Sequence, residues 1–286
     1  MKKHLLSFGH GYTAQALAKY LLPKGWKITG TTRDPSKLER LRETGISALH
    51  WGDQNLEKAL ETASAMLISA SPNEEGDPTY LRFGRAIRQR TDYLRWIGYL
   101  STSGVYGDFG GNWVDEDTQP APSTKRGKMR LLAENQWKSL ENLPLHIFRL
   151  AGIYGPGRGP FSKIRAGTAK RVVKDRQVFS RIHVEDIVQI LVASLRKPKP
   201  GQIYNLCDDN PAPPQDVIAY SAELLGLPLP PLVNFEDAEL SEMARSFYAE
   251  NKRIKNNRIK TELGICLKYP NYRQGLKDLL TREATG

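Results

Sequence analysis

Apolar residues in the first half of the chain fall into short blocks, separated by stretches that repeat with a helical period. Residues 4–9 read as a buried strand ending at a glycine, and Ala14, Leu17, Ala18, Leu21 and Leu22 then mark one face of a helix that stops at Pro23-Lys24-Gly25. A second strand is predicted over 26–33. Asp34-Pro35-Ser36 opens a helix carrying Leu38 and Leu41, with proline near the favoured first position. Further strands are predicted over 46–51, 65–70, 96–101 and 145–150, with helical periods over 79–93 and around 128–140. Strand and helix alternate through short connections, which predicts an α/β fold, a Rossmann-type doubly wound parallel sheet. Past residue 150 the pattern loosens and prolines gather at 211, 213, 214, 228, 230 and 231. That change predicts a smaller C-terminal substrate-binding domain over 158–176 and 207–286. The dinucleotide-binding domain is then expected over 1–157, drawing also on about 177–206. No internal repeat is visible.

Composition narrows the function classes. The chain has 286 residues, 40% of them apolar and 9% aromatic, as expected of an ordinary globular protein with a sizeable core. No apolar run reaches the ~20 residues that span a bilayer, and the apolar run 5–8 is too short for a signal peptide. The expected location is cytoplasmic, with no membrane partner. Cys207 and Cys266 have no neighbours at metal-ligand spacing, so they read as structural thiols and no metal site is expected. The net charge of +11 draws on 42 basic and 31 acidic residues. The densest basic stretches, 163–176 and 251–260, lack the interleaved aromatics of RNA-binding motifs. A solvated basic surface or attraction of a phosphorylated ligand is expected, with nucleic-acid binding the weakest of the three readings.

Gly9-His10-Gly11-Tyr12-Thr13-Ala14 lies between the first strand and the first helix, the context that gives a G-x-G-x-x-A run its meaning. Gly9 permits the tight turn, Gly11 lets a pyrophosphate approach the backbone, and Ala14 keeps the helix close to the sheet. The positive end of the helix then attracts the phosphates. The second strand ends Thr31-Thr32-Arg33. A guanidinium there suits the 2′-phosphate of NADP, whereas Asp34 beside it suits either the ribose of NAD or a helix cap. NADP is the expected cofactor and NAD the alternative. Asp53, after the third strand, is a candidate partner for the adenine amino group or a helix cap, and Ala70, ending the fourth strand, joins the cofactor-binding group.

With these elements in place, the chain resembles the extended short-chain dehydrogenase/reductase family, also called the NAD-dependent epimerase/dehydratase family. The likeness rests on Gly9–Ala14, on Leu100-Ser-Thr-Ser-Gly-Val-Tyr-Gly107, on Phe148-Arg-Leu-Ala-Gly-Ile-Tyr-Gly-Pro-Gly157 and on Arg181-Ile-His-Val-Glu-Asp186. The resemblance implies a catalytic hydroxyl at Thr102. It also implies a Tyr-x-x-x-Lys pair on the next helix, but Arg126 stands at the tyrosine position and Arg130 at the lysine position. Arginine stays protonated throughout the physiological range, so Arg126 cannot exchange a proton as tyrosine does. Arg130 retains the charge needed at the nicotinamide ribose. Ser103 and Gly104 replace the acidic pair of the family's dehydratases.

The proton donor must therefore be sought elsewhere. Tyr106, Tyr154 and His183 are the candidates, and only histidine has an ordinary pKa near neutrality. Residues 155–160 read as a phosphate-binding loop or a rigid connection, Asp115-Glu116-Asp117 as an acid/base pair or a surface turn, and 251–255 as a substrate-facing or a solvated basic stretch. The leading expectation is an NAD(P)-dependent reductase or epimerase acting on a small polar substrate, nucleotide- or phosphate-bearing. The alternative is a dinucleotide-binding sensor that has lost catalysis. A homodimer is expected by the resemblance alone.

Overall fold

The computed structural model describes residues 3–285. Its elements begin with β1 (His4–Phe8), α1 (Tyr12–Leu21), β2 (Lys27–Thr32), α2 (Leu38–Glu43), β3 (Ser47–His50), α3 (Asn55–Thr62) and β4 (Ala65–Ile68). They continue with α4 (Pro78–Arg88), β5 (Trp96–Thr102), β6 (Trp113–Val114), α5 (Lys125–Lys138), β7 (Leu145–Leu150), β8 (Gly152–Tyr154), α6 (Phe161–Arg165) and β9 (Arg171–Val173). The remainder are β10 (Arg181–His183), α7 (Val184–Arg196), β11 (Ile203–Leu206), α8 (Pro214–Leu224), β12 (Leu232–Asn234), α9 (Glu242–Tyr248), β13 (Arg253–Ile254), α10 (Asn257–Leu263) and α11 (Tyr272–Thr285).

Seven strands form one sheet in the order β11-β7-β5-β4-β1-β2-β3. β1 lies at the reversal of strand order and pairs in parallel with β2 (Leu5 opposite Ile28) and with β4 (Leu5 opposite Ala65). The Rossmann-type α/β fold read from the sequence is therefore present. The seventh strand, β11, joins the main sheet beside β7.

The molecule divides into two compact units. Unit 1 runs to Thr102 and takes in Lys128–Arg149 and Val188–Tyr204, and unit 2 comprises Ser103–Gly127, Leu150–Ile187 and the chain from Asn205. Beside the expected division at 157, about 177 and 206, the chain crosses between the units after Thr102, Gly127, Arg149, Ile187 and Tyr204, and 103–127 goes with the second unit. In unit 1, Leu6, Phe8, Met66, Ile68, Ile97 and Ile147 from the sheet pack with Leu56 and Leu60 of α3, Phe83 and Ile87 of α4, and Ala133 and Trp137 of α5. Removing each large side chain from water contributes about 1.5–3 kcal/mol, which is what holds α5 in its place on the sheet. Asp77 starts α4 by accepting the Thr79 and Tyr80 amides at 2.8 and 3.0 Å, so the helix begins sharply despite few apolar residues in its first turn.

Unit 2 carries three two-stranded parallel ladders, β8 with β10, β9 with β12, and β6 with β13. Tyr154, Phe161, Val217, Tyr272, Leu276 and Leu279 form its main apolar cluster. No helix among the described residues is long and apolar enough to cross a membrane.

Candidate functional site

The turn after β1 is held by strands on either side. Gly9 has φ +76°, and a β-carbon added there would lie 2.8 Å from the Ala70 amide nitrogen. Only glycine accommodates both the left-handed backbone and that approach. The Gly9 amide donates to Thr31 Oγ1 at 2.9 Å, and the His10 amide to the Thr31 carbonyl at 2.8 Å. Ser69 Oγ donates to the Gly9 carbonyl at 2.5 Å. Gly11 begins α1 in an extended conformation, with no side-chain cap and no acidic residue in the first turn. The helix end therefore keeps its positive field for an incoming anion. Within unit 1 a β-carbon on Gly11 would meet nothing closer than the Gly9 carbonyl at 3.8 Å, so a ligand can approach the backbone there.

Tyr12 opens α1, and Thr13 and Ala14 are buried against the sheet. Arg33 is exposed just past β2, and among the described residues its guanidinium makes no hydrogen bond or ion pair. Asp34 is occupied differently: its Oδ1 accepts the Ser36 amide at 3.1 Å and the Ser36 hydroxyl at 2.6 Å, and Lys37 lies 3.2 Å from Oδ2. Those bonds from Ser36, with Lys37 beside it, hold its carboxyl below the ordinary range. Asp53 Oδ1 accepts the Asn55 amide at 2.8 Å and so organises the start of α3. The Ala70 carbonyl receives Arg130 Nη1 at 3.4 Å.

Arg130 also donates from Nη1 to the Leu100 carbonyl at 3.0 Å and to Tyr99 Oη at 3.1 Å. It thus joins the carboxyl ends of β4 and β5, beside the half-buried Thr102 that ends β5. Behind this edge lies a group that motif reading missed. Ser101 Oγ donates to Glu134 Oε1 at 2.5 Å, while Arg149 holds both Glu134 oxygens, Nε at 3.2 Å and Nη2 at 2.8 Å. Glu134 and Arg149 are buried, so β5, α5 and β7 are joined by an enclosed ion pair. The trace in the sequence is an arginine inside an apolar strand, which requires a partner.

Two of the expected proton donors are buried. Tyr106 is enclosed and its phenol donates to Asn205 Oδ1 at 2.7 Å, a structural bond in the interior of unit 2. His183 is enclosed between Tyr154 and Tyr269, with ring centres 5.1 and 4.1 Å away. Its Nδ1 accepts the Glu185 amide at 3.2 Å, and burial lowers its pKa to about 4. It is a neutral imidazole at pH 7, not a group poised at neutrality. Arg126 is exposed in the first turn of α5, its guanidinium 5.0 Å over the Phe247 ring.

The other sequence candidates resolve into internal contacts. The Gly155 and Arg158 amides bond each other's carbonyls at 3.0 and 2.9 Å, making the 155–160 loop a closed turn. Asp117 takes Arg258 Nη2 at 2.7 and 2.8 Å, Asp115 pairs with Lys255 at 3.4 Å, and Glu116 accepts the Asn205 amide at 2.9 Å. Lys252 Nζ bonds the Gly107 carbonyl and Glu250, each at 2.6 Å. Asp186 anchors the Lys268 and Tyr269 amides at 2.7 and 3.0 Å.

Unit 2 also contains a cavity of about 500 Å³. Val172, Val217 and Leu276 supply apolar wall, and Arg181 and three tyrosines also face it.

No protein-family model matches the chain. Protein YeeZ of Escherichia coli K12 is 31% identical, over 94% of this chain and 97% of its own. A solved structure described as a functionally unknown conserved protein from Silicibacter pomeroyi is 55% identical, with a TM-score of 0.93 over 98% of this chain and 99% of that one. UDP-glucuronic acid 4-epimerase from Bacillus cereus, solved with NAD, is 17% identical with a TM-score of 0.72 over 98% and 99%, a likeness of fold. By its identity and coverage with the first of these, the chain belongs to the family of Protein YeeZ.

Proposed function

We propose that this chain is an NADP(H)-dependent oxidoreductase or epimerase-like enzyme acting on a small polar substrate. The observation that carries the reading is the Gly9–Ala14 turn, locked against Ala70 and leading into a helix with no side-chain cap. Such a cradle fits a pyrophosphate, and structures with this fold have been solved with NAD and with NADPH.

In this reading the first-turn backbone of α1 binds the pyrophosphate. Arg33, whose guanidinium has no partner among the described residues, binds the 2′-phosphate, and the engagement of Asp34 with Ser36 and Lys37 removes the usual acceptor for a ribose 2′-hydroxyl. Asp53 and Ala70 border the adenine side. Arg130 supports the nicotinamide ribose, and Thr102 orients the substrate carbonyl. The nicotinamide, when bound, supplies hydride chemistry, and the chain supplies orientation and field. A water or a substrate group supplies the proton. A homodimer through α4 and α5 is favoured by Leu81 and Leu132, both exposed on those helices.

Calorimetric titration with NADPH and with NADH tests the proposal. Binding selective for NADPH is expected, and no binding of either at millimolar concentration overturns it. The alternative, a dinucleotide sensor without catalysis, is favoured by Arg126 at the tyrosine position and by the burial of Tyr106 and His183. Turnover of any carbonyl substrate by the wild type excludes it.

A further inference from the structure

We propose that the cavity of unit 2 recognises a compact, ring-bearing carboxylate, with Arg181 as its anion-binding residue. The inference deepens the reading above by naming a substrate class, and it rests on unit 2 supplying substrate recognition.

The cavity, about 500 Å³, is the size that encloses a small organic molecule. Its apolar wall removes hydrocarbon from water, while Tyr154, Tyr248 and Tyr272, all nearly enclosed, offer ring faces and edges. Aromatic rings pack best against planar partners, which favours a ring over a flexible chain.

The charge comes from Arg181. Its Nη1 donates to the Phe179 carbonyl at 2.8 Å and to the Ala212 carbonyl at 3.1 Å, which fixes the plane of the guanidinium. Among the described residues Nε and Nη2 donate to nothing, and no carboxylate lies within ion-pair distance. Those two N–H groups form the edge that receives both oxygens of a carboxylate. Asp208, the acid that acts most strongly on Arg181, accepts the Asn210 amide at 3.1 Å, and burial pushes its pKa up to about 8. Burial thus favours its neutral form, which weakens its hold on the guanidinium charge. Buried charges require a counter-charge, and a ligand carboxylate supplies it.

Tyr154 presents its ring, not its hydroxyl: the hydroxyl has no accessible surface and lies against Gly275 of α11. One half-buried cation among apolar and aromatic walls matches a monoanion. A nucleoside diphosphate carries more charge than this lining offsets, since Lys163 and Lys170 are exposed and Lys170 already faces Glu239 at 3.7 Å.

The test is calorimetric titration of the intact protein with benzoate, cinnamate, their primary amides, UDP and inorganic phosphate, alongside NADPH. The arene carboxylates should bind one to one, and their amides should not. Arg181→Gln should weaken binding ~10- to 100-fold, the loss expected for a charged hydrogen-bonded contact, while NADPH affinity stays unchanged. Arg181→Lys should recover only part of it. If Arg181→Gln does not fold, the carboxylate-against-amide comparison on wild type decides. The proposal is overturned if UDP or phosphate binds and the arene carboxylates do not, if none binds, or if Arg181→Gln leaves affinity unchanged. Loss of NADPH binding with carboxylate binding intact would sink the cofactor reading alone.

Discussion

The imidazole of His10 rests on the α-carbon of Gly30: a methyl group on Gly30 would lie 2.6 Å from His10 Cγ. The phosphate turn is thus seated in a gap that β2 leaves by having no side chain at that position. Gly30→Ala should fill the gap, cost about 1–3 kcal/mol by overpacking, and weaken NADPH binding by displacing the turn. Urea denaturation with parallel calorimetry checks this, and unchanged cofactor affinity would mean that the turn is seated by other contacts.

Burial without a partner lowers the pKa of His10 to about 4, and burial brings His146 and His183 to a similar value. Each folded value lies below the ordinary 6.5, so between them the unfolded chain binds more protons. The stabilisation is fully present above pH 6.5 and falls as pH drops toward 4, by roughly 2–3 kcal/mol for each histidine at the acid end. Denaturant midpoints at pH 7.5, 6 and 5 should decline in that order. A flat profile would contradict the burial of these rings.

Gly9→Ala places a β-carbon against the Ala70 backbone at a left-handed position. Strain of about 1–3 kcal/mol is expected, with dinucleotide binding weakened at least tenfold and helix content retained. Circular dichroism and NADPH titration on the same sample separate the two effects.

Arg33→Ala should weaken NADPH binding about 10- to 100-fold and leave NADH within twofold, because only the 2′-phosphate meets the guanidinium. An equal loss for both cofactors would assign Arg33 a general electrostatic role instead. Arg126→Ala, on an exposed side chain, should change neither by more than about twofold, as usual for surface substitutions.

Glu134→Ala leaves Arg149 buried without its partner and should cost about 3–5 kcal/mol. Replacing Glu134 and Arg149 together by leucine and methionine should cost much less, since the lone charge is then gone. Thermal unfolding of wild type and the two variants tests it, and a double variant no more stable than Glu134→Ala would argue against coupling.

How much of this was legible follows from the range of the interactions. The β1–turn–α1 unit was readable because glycine spacing and helical period are local, and the capping of the turn at Pro35 by Asp34 follows from its hydroxyl neighbour two residues on. The Rossmann-type order of alternation was readable for the same reason. β11 was harder: Ile203–Leu206 has strand character, but its place beside β7 depends on pairing across some fifty residues.

The linear order of residues by itself determined the glycine turn after β1 and the α/β alternation. Only the tertiary structure decided that Tyr106 and His183 are enclosed, that Glu134 answers Arg149, and that Arg181 faces a cavity with one edge unused among the described residues. Turn geometry is set by neighbours along the chain. Burial, and with it protonation and the presence of a partner, is set by elements that meet only on folding.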